Sequence, residues 1–220
     1  MALEDRYNGI VDNLNKYVYH VLGCGAIGSS AAIQLVRTGA DNLHLYDFDE
    51  VEEANIGVSQ YDKRHIGVKK VKALSHILKD INKDMNINIH SERFEELYSM
   101  GDDEIVILGF DSMKSRLEAV ELICKSMHKP LFIIDGRMGA EHYQQYTLKS
   151  PTIAKYKKIW YDDTEGSEEP CNAKATSYCS NMSGSFIVNT IRKLLTKQPY
   201  HSDISFNFPT MILESNGRTI

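Results

Sequence analysis

Short, continuous apolar runs alternate along the chain with stretches in which apolar residues recur every three or four positions. That is the pattern of a sheet whose strands are joined by crossover helices. Tyr17–Leu22 reads as the first strand and Ala26–Thr38 as a helix that ends at Gly39. Leu43–Tyr46 is a second strand, delivering Asp47 at its C-terminal end. Over Val68–Ile81 the spacing puts Val71, Leu74, Leu78 and Ile81 on one helical face. Asn86–His90 is a short strand, and Ile105–Phe110 is apolar throughout, as parallel strands buried on both faces are. The helix after it is expected to bury Leu117, Val120, Cys124 and Met127. Leu131–Ile134 and His142–Leu148 read as further strands. From Ser150 to Ala175 the pattern breaks into Lys, Tyr, Asp, Glu and Pro, a composition of a loop or lid. A helix over Ser183–Thr196 turns Ile187, Ile191 and Leu194 inward, and Ile204–Phe208 is a last strand before a polar end.

Composition narrows the class. With 42% hydrophobic and 25% charged residues the chain is an ordinary globular one, which excludes a disordered or collagenous protein. Its 220 residues fit one large domain, or a domain with an appendage. A net charge of -5 argues against a sequence-blind nucleic-acid binder, which needs surplus Lys and Arg to neutralise phosphates. The apolar runs fall far short of the ~20 residues that span a bilayer, so no membrane partner is expected. Met1–Asn13 lacks the basic start and apolar run of a secretion signal, so a cytoplasmic setting is expected. Cys24, Cys124, Cys171 and Cys179 are irregularly spaced and read as reduced thiols. No Cys-x-x-Cys pair points to structural zinc.

The first chemical signal is Gly23-Cys24-Gly25-Ala26-Ile27-Gly28, a G-x-G-x-x-G between a strand and a helix. Glycines there permit a tight turn, let backbone N–H groups approach phosphate, and let helix and strand pack closely, while the helix N-terminus favours negative charge. Asp47 follows Gly28 by 19 residues, where a carboxylate can accept hydrogen bonds from ribose hydroxyls. The alternative is a tight turn without a ligand and a surface carboxylate at Asp47. On the glycine motif alone the chain would be an NAD-dependent oxidoreductase.

The residues beyond Asp47 do not fit that class. Asp47-Phe48-Asp49-Glu50-Val51 leads to Asn55-Ile56, then Gln60-Tyr61, then Ile66-Gly67-Val68-Lys69-Lys70 at the start of a helix. Further on, Asp111 precedes Arg116 by five residues, just after the fourth strand. In this order and spacing the motifs resemble the ThiF/MoeB/HesA family, which includes the adenylating domains of ubiquitin-activating enzymes. The resemblance is strong over residues 17–135 and weak over 136–196. It implies an α/β, Rossmann-like fold: a mostly parallel sheet with crossover helices and a C-terminal extension of antiparallel strands plus a helix. Residues 1–220 would form a single adenylation domain, with a nucleotide-binding core at 17–135 and the crossover loop, last helix and tail at 136–220.

The resemblance also assigns residues. Gly23, Gly25 and Gly28 would cradle phosphates, Asp47 would hold the ATP ribose, Asp49 and Gln60 would lie at the nucleotide site, Asn55 would contact the nucleotide, Lys70 would neutralise the triphosphate, and Asp111 would hold Mg²⁺. Attack of a carboxylate on the α-phosphate brings like charges together, so positioned cations suit this chemistry. The other readings are a solvated lysine at Lys70, a loop acid at Asp49, and a helix N-cap at Asp111. The implied activity is ATP- and Mg²⁺-dependent adenylation of the C-terminal carboxylate of a small ubiquitin-like or sulfur-carrier protein ending in Gly-Gly, by a homodimer.

Two departures matter. Family members carry Asn-x-x-Arg-Gln, with the Arg on ATP phosphates, whereas Asn55 is followed by Ile56-Gly57-Val58-Ser59-Gln60. An N-terminal Arg-Tyr-x-Arg segment reaches across the dimer in many members; here Arg6-Tyr7-Asn8-Gly9 keeps only the first two residues of it. Arg6, Arg64 and Arg137 are the candidate substitutes, against surface salt bridging. Cys171 occupies the position of the crossover cysteine that in some relatives takes the activated carboxylate as a thioester, the alternative being an unreactive small residue; Cys179 is a weaker candidate. Cys24 is expected to pack beneath the turn, and His142 and Trp160 to have packing roles. A nucleotide-binding subunit without independent activity is the non-enzymatic alternative.

Overall fold

The computed structural model describes residues 7, 9–96, 103–162 and 175–219. Eight strands form one sheet: β1 (Val18–Leu22), β2 (Asn42–Tyr46), β3 (Asn86–His90), β4 (Glu104–Leu108), β5 (Phe132–Gly139), β6 (His142–Lys149), β7 (Tyr200–Asn207) and β8 (Ile212–Thr219). Their order is β3-β2-β1-β4-β5-β6-β7-β8. The first five run parallel and the last three continue the sheet antiparallel. The helices are α1 (Ala26–Arg37), α2 (Glu53–Ile56), α3 (Lys70–Ile81), α4 (Met113–Lys125), α5 (Ile153–Tyr156) and α6 (Ser177–Leu195).

Alternation along the strands builds two cores. Tyr19, Val21, Leu43, Leu45, Ile105 and Ile107 face α1, α3 and α6, where Leu35, Leu74, Leu78, Ile187 and Ile191 meet them. Leu22, Val106, Leu108 and Ile133 face the other way, onto Val120 and Ile123 of α4 and Tyr156 of α5. The chain leaves β1 toward β2 on one side and reaches β4 on the other. The strand order therefore reverses between β1 and β4, and their C-terminal ends flank the crevice in which sheets of this kind bind ligands. The turn after β1 and the segment Gly109–Asp111 after β4 both lie there.

Four sequence expectations change. Met127 lies beyond the last residue of α4, because Ser126 is extended, and is 96% exposed rather than buried. The final helix starts at Ser177, enclosing Cys179 in its buried face. Within the expected loop after Ser150, α5 packs Tyr156 into the second core. The polar end beyond Phe208 pairs along β7 as β8. Among the described residues no helix is long and apolar enough to cross a membrane.

Candidate functional site

The glycine turn is held by the chain's own packing. Gly23 has φ +91°, and a Cβ there would lie 2.8 Å from the Gly109 carbonyl carbon. Its N–H donates to the Tyr46 carbonyl at 2.8 Å. A Cβ on Gly28 would lie 1.8 Å from the Gly23 carbonyl oxygen. The first and third glycines are thus needed to bring β1, α1 and the end of β4 together. A Cβ on Gly25 would meet nothing within 4 Å, so the middle glycine faces open space in front of the α1 N-terminus. That is room for a phosphate. Cys24 is fully buried beneath the turn, as expected, and burial pushes its thiol pKa up.

Asp47 closes the turn from the end of β2. One carboxylate oxygen accepts the Cys24 N–H at 2.7 Å and the other the Asp49 N–H at 2.9 Å. Burial raises its pKa, with Lys70 and the two N–H donors opposing. Lys70, the first residue of α3, donates to Asp49 at 2.8 Å, and its side chain is 12% exposed rather than solvated. Burial alone would lower its pKa, but the hydrogen bond to Asp49 and the charges of Asp47, Asp49 and Asp111 carry it above the ordinary lysine value. Its one direct side-chain partner among the described residues is Asp49. Asp111 is exposed at the end of β4 and is not the helix cap: Ser112 caps α4, accepting the Ser115 N–H at 3.2 Å.

Other predicted residues are placed differently. The Asn55 side-chain oxygen accepts the Glu52 N–H at 2.9 Å, in the capping box of α2. Gln60 bonds Asn181 of α6 at 2.7 Å and takes its backbone N–H to the Ser29 hydroxyl at 3.2 Å, linking the loop to both helices. Arg64 is exposed and paired with Asp62 at 2.6 Å. Arg137 is buried and committed: it bonds Asp135 at 2.7 Å and the Ile159 carbonyl at 2.8 Å, with its guanidinium over the Tyr146 and Tyr161 rings. Neither arginine is placed as a phosphate ligand. Arg116 is buried, bonding the Phe110 carbonyl and Asp135 and reaching the Leu108 carbonyl at 3.3 Å, so it fixes the segment that presents Asp111. Trp160 packs as expected, donating to the Met113 carbonyl at 2.9 Å. His142 meets Ser205 at 2.7 Å on β7. Arg6 and Cys171 lie outside the described residues.

Two contributors carry no signature in the sequence. Asp135 takes Arg116, Arg137 and the Tyr156 hydroxyl together, and Tyr61 donates to the Cys24 carbonyl at 2.6 Å. Tyr61 is nearly fully buried, and only its position next to Gln60 marks it. Among the described residues no three His, Cys, Asp or Glu side chains are grouped as a ready-made metal cage. Magnesium is commonly held by one or two carboxylates plus the phosphates it serves. Asp111, exposed just beyond the C-terminal end of β4, fits that arrangement.

A mostly parallel sheet with a glycine turn at its switch point, an acid at the end of the second strand and a lysine opening the next crossover helix define a Rossmann-like α/β protein. Its family is equally plain: the ThiF family pattern matches residues 4–217, and the chain belongs to the ThiF family. Ubiquitin-like modifier-activating enzyme 5 of Xenopus laevis is 37% identical over 86 residues, 38% of this chain and 22% of that protein. Its Bombyx mori counterpart is 25% identical over 239 residues, covering 94% of this chain and 60% of that protein. The chain thus spans well under two thirds of these relatives. Among solved structures, E. coli MccB with ATP superposes with a TM-score of 0.73 at 15% identity, over 93% of this chain and 64% of that one. PaaA superposes with a TM-score of 0.70, also at 15% identity, over 94% and 66%. At those identities the likeness is one of fold.

Proposed function

We propose that the chain is an adenylyltransferase that uses ATP and Mg²⁺ to activate the C-terminal carboxylate of a small ubiquitin-like or sulfur-carrier protein ending in Gly-Gly. The observation that carries the reading is that Asp47 holds the Cys24 N–H of the glycine turn and the Asp49 N–H, while Lys70 is set on Asp49, next to the turn at which Gly25 faces open space. Membership of the ThiF family, the modifier-activating relatives and the ATP complex of MccB support the same reading.

In this proposal Asp47 accepts the ribose hydroxyls while it holds the Cys24 N–H, so ribose and turn share one anchor. The Gly25 N–H and the α1 N-terminus receive phosphate oxygens. A carboxylate oxygen attacks the α-phosphorus, a new O–P bond forms, and pyrophosphate leaves. Lys70 exchanges Asp49 for phosphate oxygens and offsets charge that builds on them; one such positioned group typically contributes ~3 kcal/mol. Magnesium, held by Asp111 and phosphate oxygens, would supply further positive charge at the leaving pyrophosphate. Transfer to the Cys171 thiolate, with AMP as the leaving group, is part of the proposal, as are a single adenylation domain and a cytoplasmic setting.

The test is ATP–pyrophosphate exchange by the purified chain with and without candidate partner proteins, alongside thermal shifts with ATP·Mg²⁺ and with NAD. Partner-dependent exchange and stabilisation by ATP·Mg²⁺ are expected; stabilisation by NAD alone rejects the reading. A second reading, a nucleotide-binding subunit that takes its arginine from a partner, is favoured by the Ile56–Ser59 segment, which lacks the family arginine. Tight ATP binding without exchange for any partner would select it.

A further inference from the structure

We infer that Tyr61 is the positioning residue of the phosphate seat: its hydroxyl fixes the orientation of the Cys24–Gly25 peptide and ties the glycine turn to the start of α3, where Lys70 stands. This rests on the nucleotide reading above and adds to it a residue outside the motif residues already assigned.

The hydroxyl lies 2.6 Å from the Cys24 carbonyl oxygen and 3.3 Å from the Lys70 carbonyl oxygen. Burial, with the neighbouring Cys24 and Asp47, pushes its pKa up, so it acts as a proton donor at every working pH. It has one proton, and the shorter contact to Cys24 takes it. The ring sits in the main core and meets the His65 ring edge-on. The hydroxyl is thus a fixed point against which the turn is set. In a trans peptide the carbonyl and the following N–H point in opposite directions. Holding the Cys24 carbonyl toward Tyr61 therefore aims the Gly25 N–H away from the Tyr61 hydroxyl, at the N-terminus of α1.

The preceding peptide is pinned as well, because the Cys24 N–H is held by Asp47 at 2.7 Å. Both polar groups of Cys24 are thereby spoken for within the protein, and the Gly25 N–H remains the donor that the turn presents outward. A peptide held this way needs no rearrangement when an anion arrives, which is how preorganised donors gain their strength. The same hydroxyl lies beside the Lys70 carbonyl, so the turn it orients is next to the start of α3. Tyr61 touches neither substrate nor metal; its effect passes through Gly25 and Lys70.

Tyr61→Phe keeps the ring and deletes the anchor. Binding of ATP·Mg²⁺, inorganic tripolyphosphate and adenosine is measured by calorimetry for both proteins, adenosine by competition. The variant is expected to bind ATP and tripolyphosphate at least ~10-fold more weakly, the scale of one misaligned hydrogen bond to a charged group, with adenosine affinity within about twofold. Equal ATP affinity in the two proteins overturns the inference. So does a uniform loss for all three ligands, which marks a merely structural tyrosine. A wild type that binds neither ATP nor tripolyphosphate rejects the nucleotide reading itself, a separate result. A second measurement needs no variant: exchange of the Gly25 amide in the unaltered protein is expected to slow when ATP·Mg²⁺ is added, and an unchanged rate also overturns the inference.

Discussion

Gly25 and Gly28 are three residues apart in one motif and meet opposite constraints. At Gly28 an added methyl would lie 1.8 Å from the Gly23 carbonyl oxygen, whereas at Gly25 it would enter open space at a negative φ. Gly28→Ala is therefore expected to cost at least ~3 kcal/mol, since the backbone must move, and to lower the melting temperature accordingly. Gly25→Ala is expected to melt within ~2 °C of wild type, under ~1 kcal/mol, yet to lose nucleotide binding because the methyl fills the phosphate's place. Melting curves and ATP titrations on the two variants separate them, and equal stability would show the packing argument to be wrong. Asp111→Asn keeps shape and removes one charge, so exchange activity is expected to fall at least ~10-fold, about 1.4 kcal/mol, with folding intact; retained activity would mean that Mg²⁺ is held elsewhere. The glycine turn and Asp47 are legible in the sequence because spacing after a strand carries their geometry, and Lys70 is singled out through the family resemblance. Tyr61 and Asp135 are not, since each acts through partners 37 and 19 residues away along the chain that only the fold brings near.

The strands add a feature that apolar periodicity does not report. On the α4 side of the sheet, His20 pairs in register with His44, and Tyr46 with His90. His20 Nδ1 lies 3.1 Å from the Tyr46 hydroxyl, His44 Nδ1 lies 3.1 Å from His90 Nε2, and His20 Nε2 lies 3.3 Å from the Glu104 carboxylate. A hydrogen bond between two imidazole nitrogens needs one of them unprotonated. Burial first, then the charges of His20 and His90, pull His44 down to about 4, with Glu104 opposing. His90 is lowered by burial and His20, with Glu92 opposing. Above the free imidazole value of ~6.5 folded and unfolded chains are both neutral at these sites and stability does not vary with pH. Below it the unfolded chain takes up protons that the folded one refuses, so stability is expected to fall from about pH 6.5 down to about pH 4. Melting temperature followed across that window checks it, and His44→Gln is expected to flatten the slope; an unchanged slope would place the effect elsewhere. Element positions themselves are largely legible: Asn86–His90 is found as read, and α1 ends one residue before the expected Thr38. The misses have local causes. Met127 keeps the helical spacing past a backbone that has already turned, and β8, with exposed Ile212 and Leu213 among polar residues, is defined by its pairing to β7.

At the scale of the whole molecule the shortage of cations at the site becomes a prediction about assembly. Among the described residues Lys70 is the cation that the fold brings to the turn, while Arg64 is paired with Asp62 and Arg137 is locked to Asp135. Triphosphate and attacking carboxylate together carry more negative charge than one ammonium offsets. Tyr7 and Val11 line a cleft with Thr38 and Gly39, at the far end of α1 from Gly25, and the twelve residues of that helix span about 18 Å. Tyr7 therefore stands at the end of α1 away from Gly25. A second copy of the chain would bring further arginines. A symmetric homodimer with each site near the interface is therefore expected, with Arg6 supplied in trans. Sedimentation at micromolar concentration checks the assembly, and a strict monomer that catalyses exchange would reject it. Mixing Arg6→Ala with Lys70→Ala protein checks the sharing: in a mixed dimer one site regains both wild-type residues, so activity absent from each variant alone is expected to reappear at up to about a quarter of the wild-type level if half the dimers are mixed and one of their two sites is intact. No recovery in dimers shown to exchange subunits would remove Arg6 as the shared residue.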